Sequence, residues 1–175
     1  MTHMTDIELQ KELYNRVVAF LEEKGLQFPT MGEEAGEDID GNPLGEPAWK
    51  AFNVYIQDKP FKTDENDEEE ENYIIIILND EDGISATEEW DIEIQFIVGI
   101  ELYENEHQGN LIIANVMNNL WKLFRTSTIN GATLDRHNKA KRFNQENYPN
   151  FYEGALITHW RVPDVAVTEG TEELL

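Results

Sequence analysis

The strongest fold signal in the chain is residues 91–103, which read DIEIQFIVGIELY. Apolar side chains occupy every second position, at Ile92, Ile94, Phe96, Val98, Ile100 and Leu102, and Ile97 is the exception on the polar side. This period of two is typical of a β-strand with one face on a core and one face in water. At ~3.3 Å per residue, such a strand reaches roughly 43 Å. We therefore expect it to project from its own sheet or to pair with another molecule.

Two amphipathic helices accompany this strand. Thr5 and Glu8 form a capping-box pattern ahead of apolar residues at helical spacing, and Gly25 is placed to end that first helix. A second helix is predicted over residues 110–124, with an apolar stripe wide enough to lie across a sheet. We expect its side chains Val116, Leu120 and Leu123 to pack against Ile92, Ile94, Phe96, Val98 and Ile100.

Shorter strand signals lie on both sides of residues 91–103. They are predicted near residues 52–56, at Tyr73–Leu78, at Thr128–Leu134 around Asn130-Gly131, and at Gly154–Val162. Residues 79–83 contain a run of Asn, Asp, Glu and Gly, which predicts a turn; as a calcium loop the run fails, because Leu78 would hold the first ligand position. Strands in runs with segregated helices predict an α+β fold, with a mainly antiparallel sheet packed by both helices. We expect one domain over residues 1–175.

Three segments lack any packing signal. Residues 27–47 hold prolines and glycines without periodicity and predict a long loop, and residues 168–175 predict a flexible acidic tail. Residues 63–71 predict an acidic loop. Its seven carboxylates cannot be buried together and must face water; they are Asp64, Glu65, Asp67, Glu68, Glu69, Glu70 and Glu71.

The amino-acid composition limits the classes of function that this protein can have. With 36 acidic and 13 basic residues, the formal net charge of −23 opposes binding to nucleic acid and to anionic membranes. The absence of cysteine excludes disulfides, thiolate metal sites and cysteine nucleophiles. The longest apolar run, Tyr73–Leu78, is far shorter than the ~20 residues that span a bilayer. We expect a soluble intracellular protein without a signal peptide.

Catalytic motifs are absent from the sequence. The four histidines show no paired spacing typical of zinc sites, and His159 is expected to be a strand residue with an ordinary hydrogen-bond partner. Asp80 with Glu93 and Gln95 could imitate the two-carboxylate magnesium cluster of a nuclease, but Gln95 stands where lysine is usual. The polar face of an amphipathic strand explains the same residues. No glycine-rich phosphate loop occurs. We expect no enzyme, no metal and no cofactor, and instead a protein that binds other proteins.

Basic residues are concentrated in one part of this acidic chain. Six of the thirteen lie between positions 122 and 142. They could contact phosphates, or they could face the acidic surface of a neighbouring copy. The second interpretation is simpler, because the chain supplies both surfaces. It predicts a subunit or partner interface at Arg136, Lys139, Lys141 and Arg142.

The C-terminal half resembles the tail-terminator (tail-completion) proteins of long-tailed bacteriophages and prophages. The resemblance rests on the strand at 91–103, the helix at 110–124, the Asn130-Gly131 strand, and residues 148–154 (YPNFYEG) leading into a strand that ends at 160–163 (WRVP). It covers about residues 49–163. The acidic insert at 63–71 departs from the expected pattern.

This resemblance implies a structural role without catalytic residues. A small α+β subunit would form a ring, expected to be a homohexamer, on the head-proximal end of the tail tube. The ring would stop tube polymerisation and join the head–tail connector protein, while DNA passes without specific binding. In such a ring the acidic loop would line the lumen or lie on the outer wall. The protein would assemble in the host cytoplasm and reside in the virion. A head–tail connector or neck subunit is the alternative, and a metal-dependent nuclease is a remote one.

Overall fold

The computed structural model describes residues 4–24, 52–58, 72–84, 88–101, 109–144 and 151–164. Its elements in chain order are α1 (Asp6–Lys24), β1 (Asn53–Ile56), β2 (Tyr73–Ile84), β3 (Glu89–Glu101), α2 (Gly109–Thr126), β4 (Thr133–Phe143) and β5 (Phe151–Pro163). The strands form one sheet in the order β1-β2-β3-β5-β4. All neighbours are antiparallel except β1, which runs parallel to β2. The predicted α+β fold is confirmed.

Both helices pack on the same face of the sheet. Helix α1 begins with the predicted capping box: the Thr5 N–H donates to Glu8 Oε2 at 2.8 Å, and the Glu8 N–H donates to Thr5 Oγ1 at 3.2 Å. Its apolar stripe is buried over β1 and β2, whereas α2 lies over β3, β5 and β4. The cluster that both helices cover contains the predicted strand face, with Ile92, Ile94, Phe96, Val98 and Ile100 all buried.

The centre of this core is aromatic. Phe96 is fully buried, and its ring centroid lies 4.6 Å from that of Phe124 on α2. Phe124 in turn meets Trp160 of β5 edge-on, with centroids 5.9 Å apart. Thr158 is buried beside these rings and provides the hydrogen-bond partner of Trp160. Its hydroxyl accepts from Trp160 Nε1 at 3.0 Å and donates to the Ile94 carbonyl at 2.8 Å. Helix α2 thus packs on the strand face at residues 92–100 as predicted: Val116 and Leu120 are buried in this core, Leu123 is partly buried against it, and Phe124, which the prediction left out, contacts Phe96.

Three sequence predictions differ from the structure. Strand β3 does not project: it pairs with β5 over its full described length and with β2 over most of it. Strand β2 continues through the predicted turn to Ile84, with a register shift after Leu78. Of the predicted strand at Thr128–Leu134, only Thr133 and Leu134 are extended, as the start of β4; residues 129–132 form a short turn, in which Gly131 has a φ of 90° and Ile129 bridges Ala132. Strand β4 follows that turn and contains the whole basic segment.

Several predicted features lie outside the described residues. They are the long loop at 27–47, the acidic loop at 63–71, the tail at 168–175, and the ends of two elements at Gly25 and at Leu102 with Tyr103.

Candidate interaction surface

The basic segment forms the edge strand of the sheet. Of the predicted interface residues, Lys139 pairs with Thr158 and Lys141 with Leu156, and both partners are buried under α2. Arg142 pairs with Ala155 and points to the opposite face. Side chains alternate along a strand, so the structure divides the predicted set: Lys139 and Lys141 lie on the helix side and Arg142 does not.

Helix α2 completes a cationic surface on the helix side. The Lys139 ammonium lies 4.6 Å from the centroid of the Trp121 ring, and Lys141 Nζ donates to Asn118 Oδ1. Arg136 Nη2 donates to the Arg125 carbonyl at 3.4 Å. Positions 118, 121, 122 and 125 follow helical spacing and share one stripe, which brings in Lys122. We call this surface the cationic edge; it comprises Lys122, Arg125, Arg136, Lys139 and Lys141.

Among the described residues, no carboxylate compensates the charge of the cationic edge. All five of its charged side chains are exposed. None of them lies within salt-bridge distance of a carboxylate in the part of the chain that the structure describes. In a protein of net charge −23, an exposed cluster of unpaired cations attracts an acidic partner over several ångströms of water.

Trp121 and Asn118 belong to this surface and were missed in the sequence. In the sequence both are simply part of the helix predicted over residues 110–124. Asn118 is exposed and Trp121 is half-buried on the helix side next to β4. The available signal was the stripe of polar and aromatic residues at positions 118, 121 and 125, which lies outside the apolar stripe. This stripe gains a role only because β4 lies beside it in the fold.

The opposite face of the sheet carries the residues of the nuclease hypothesis. Asp80 and Glu93 are paired in the β2–β3 ladder. Glu93 Oε1 accepts from Asn79 Nδ2 at 2.8 Å and from Gln95 Nε2 at 2.7 Å, so this oxygen is already engaged by two amides. Within the described residues, no group of three His, Asp or Glu side chains is placed to hold a metal ion. The structure brings the two carboxylates together and gives no metal centre around them.

His159 lies on this same face, between two carboxylates. Its Nδ1 is 3.2 Å from Asp91 Oδ2, and its Nε2 is 3.8 Å from Glu93 Oε2. The predicted interpretation of His159, a strand residue with an ordinary hydrogen-bond partner, is confirmed. Beside it, Arg161 Nη2 lies 3.5 Å from Asp135 Oδ2. The pKa of Asp135 is lowered, first by the hydrogen bond from the His137 N–H and also by the charge of Arg161.

No model of a known protein family matches this chain. A search of curated proteins finds no similar sequence. Among the described helices, neither α1 nor α2 has the length and apolar character needed to cross a lipid bilayer.

Proposed function

We propose that this chain is a structural subunit of a bacteriophage or prophage tail. It forms a ring on the head-proximal end of the tail tube, ends tube polymerisation and joins the tail to the head–tail connector. In this role it binds its own copies, the tube protein and the connector, and it lets DNA pass without specific contacts. The ring is a homohexamer, and the protein is a component of the virion.

The observation that carries the proposal is the separation of charge on the molecule. The cationic edge is an exposed cluster of five cations, none of them paired with a carboxylate among the described residues, on a chain with a net charge of −23. When a subunit of net negative charge carries a positively charged surface, that surface is attracted to the negatively charged surface of an identical copy. Such heterologous contacts close into a ring when the rotation between copies allows it.

The fold and the polar sites agree with a role without catalysis. The described α+β domain core, two helices on one face of a five-stranded sheet, matches the small subunit that the resemblance to tail terminators implies. Of the two carboxylates of the nuclease alternative, Glu93 accepts hydrogen bonds from Asn79 and Gln95, and Asp80 accepts one from the Glu81 N–H. Neither observation favours the connector alternative over the terminator.

Two measurements test this function. The purified protein, added to polymerising tube protein, should shorten the tubes and appear by electron microscopy as a ring at one end. Deletion of its gene should give tails of uncontrolled length, or tails that fail to join heads. Tails of normal length that lack only the head would assign the chain to the connector instead.

The nuclease alternative has its own assay. Incubation with supercoiled plasmid and Mg²⁺ should leave the DNA intact. Cleavage that is lost in the Glu93→Ala variant would overturn the structural role.

A further inference from the structure

Trp90 is an aromatic side chain that the described fold leaves partly in water. It is 40% exposed, more than any other described Phe, Tyr or Trp side chain. In the ladders it lies between Gly83 of β2 and Val162 of β5, two residues before Ile92. Ile92 and Val162 belong to the core that both helices cover, so alternation places the indole on the helix side, at one end of the sheet.

The indole is held in one orientation by its neighbours. Its Nε1–H donates to Asp164 Oδ1 at 3.1 Å, and the Asp164 N–H donates to the Glu88 carbonyl at 2.9 Å. Gly83 supports the ring from β2, because a Cβ added there would lie 3.8 Å from Trp90 Cζ3, in ordinary van der Waals contact. A ring that is already oriented loses little side-chain entropy when a partner binds to it.

The ring borders an open depression of about 280 Å³ at the end of the sheet. We call this site the indole corner; it is lined by Gly83, Ile84, Glu88, Glu89, Trp90 and Asp164. No described cation lies within salt-bridge distance of its three carboxylates. The indole corner thus combines an exposed aromatic ring with negative charge that the described residues do not neutralise.

A fourth carboxyl group lies on the same side of the sheet. Glu81 is two residues before Gly83 on β2 and opposite Ile92, so its side chain is on the helix side. Burial raises the pKa of Glu81, and a hydrogen bond with Asp6 of α1 and the charges of Asp6 and Asp80 add to the rise. A cation bound nearby would relieve this repulsion between carboxylates.

A guanidinium group is the chemical match for this site. A cation over the face of an indole is attracted by the ring quadrupole, and tryptophan is the best of the aromatic residues for this contact. The guanidinium of arginine is planar and weakly hydrated, so it can stack on the ring while its N–H groups donate to adjacent carboxylates. A neutral apolar partner would bury those carboxylates without a hydrogen bond, which is costly.

The cationic edge carries two such groups. Arg125 and Arg136 are both exposed, and they are neighbours, because Arg136 Nη2 donates to the Arg125 carbonyl. The ammonium groups of Lys139 and Lys141 instead contact side chains of α2 in their own chain. The two arginines therefore offer the guanidinium groups that the indole corner fits.

The two surfaces lie apart on one copy. Both are on the helix side, and the start of β4 is at the same end of the sheet as Trp90. Leu134 is level with Ile92 through Trp160, and Trp90 is two residues from Ile92 on β3. Across the sheet they are separated, because β5 lies between β3 and β4. A contact between two different patches of identical copies is heterologous, which is the kind that closes into a ring.

We propose that the indole corner of one copy binds the guanidinium groups of Arg125 and Arg136 of the next copy. Arginine stacks on the Trp90 ring and donates to the carboxylates beside it. The inference rests on the proposed ring-forming role and assigns the surface that the cationic edge contacts. Because like charges repel, two cationic edges or two indole corners do not pair, and copies join only in head-to-tail order.

Two blocking variants test the contact by sedimentation velocity and native mass spectrometry. Trp90→Leu removes the ring from the indole corner and should self-associate ~5-fold more weakly than the wild type. Arg125→Glu/Arg136→Glu reverses the charge of the arginine pair and should self-associate at least ~10-fold more weakly.

A mixture of the two variants tests the head-to-tail order. Where each variant alone is mainly monomeric, an equimolar mixture should form 1:1 heterodimers and no larger species. The intact cationic edge of Trp90→Leu docks into the intact indole corner of the arginine variant, whereas the reverse contact is blocked on both sides. Heterodimer formation also proves that both variants are folded.

Matched controls separate these side chains from general effects of charge and apolar surface. Lys11→Glu/Arg142→Glu reverses two exposed cations outside the cationic edge. Leu111→Ala removes a side chain of α2 that is 51% exposed. Both controls should assemble as the wild type does.

Conservative variants test the chemistry of the contact. Trp90→Phe keeps an aromatic face and should recover most of the association that Trp90→Leu loses. Arg125→Lys/Arg136→Lys keeps the charge but not the planar fork, and it should stay at least ~3-fold weaker than the wild type. Full assembly of this lysine variant would show that the site is not built for arginine.

The outcomes distinguish the contact from the function. If the wild type assembles and Trp90→Leu assembles equally well, the indole corner is not the contact, and the ring-forming role stands. A mixture that stays monomeric, or that forms complete rings, would contradict a head-to-tail contact between these two surfaces. If Lys11→Glu/Arg142→Glu weakens assembly as strongly as Arg125→Glu/Arg136→Glu, net charge controls association and the arginine assignment is wrong. If the wild type stays monomeric even with tube protein present, both the proposed function and this inference fail.

Discussion

Replacing Phe96 with alanine should remove the central contact between the sheet and α2. The side chain is fully buried, and its ring lies 4.6 Å from that of Phe124, which holds Trp160 on its other side. Deleting a buried phenylalanine costs ~3–5 kcal/mol through lost transfer energy and the cavity left behind. The lost aromatic pair, worth ~0.5–1.5 kcal/mol, places this site in the upper half of that range.

The size of this loss determines how to measure it. A domain is stable by only about 5–15 kcal/mol, so Phe96→Ala should stay folded but with a much lower urea midpoint. At ~2–4 °C per kcal/mol, the melting temperature should fall by roughly 10–15 °C. Urea unfolding followed by tryptophan fluorescence is suitable, because Trp160 lies in the same cluster.

Two comparison variants set the scale. Phe96→Leu keeps most of the buried volume and should lose less than half as much stability as Phe96→Ala. Leu111→Ala removes a side chain that is 51% exposed on α2 and should cost well under ~1 kcal/mol. A loss below about 1 kcal/mol for Phe96→Ala would mean that α2 does not pack on this face of the sheet.

Three further variants test local interactions. Thr158→Val leaves the buried Trp160 N–H without its acceptor and should cost ~1–3 kcal/mol in urea unfolding, whereas Thr158→Ser keeps the hydroxyl and should recover much of this loss. Asp135→Asn should lower stability by less than ~1 kcal/mol at pH 7. Because the pKa of Asp135 is lower in the folded state than its unfolded value near 4, the carboxylate stabilises the fold above that pH, and this contribution is lost as the pH falls. The difference in stability between Asp135→Asn and wild type should therefore vanish near pH ~2. A difference that persists there would contradict this origin. Thr5→Ala removes the side-chain cap of α1 and should cost about 1 kcal/mol; an unchanged melting curve would show that the cap is dispensable.

The core elements could be predicted from the sequence because an element that is buried on one face carries apolar residues at a regular spacing. The alternation at residues 92–100 and the capping box at Thr5 gave β3 and α1 directly. Strand β4 could not be found this way. Its residues TLDRHNKAKRF carry almost no apolar alternation, since an edge strand is mostly in water and is held by its ladder with β5.

The second half of β2 could not be predicted from the sequence for the same reason. Its sequence from Asn79 to Gly83 has the composition of a turn, yet pairing with β3 keeps it extended beyond the register shift. The candidate interaction surface could therefore be predicted only in part from the sequence. The charges of Arg136 and Lys139 are evident from the sequence. Their position along the sheet is not, because it is set by strand pairing between residues far apart in the chain.

Strand β5 is made after every other described strand, yet it lies between β3 and β4 in the sheet. While the chain is still being translated, β3 can pair with β2, but its second neighbour β5 follows only after α2 and β4, and until then β4 has no described strand to pair with. Closing such distant pairs is slow, and it delays formation of the finished sheet until β5 leaves the ribosome. The cationic edge, whose strand β4 is held in the sheet only by β5, is therefore among the last parts of the described fold to form.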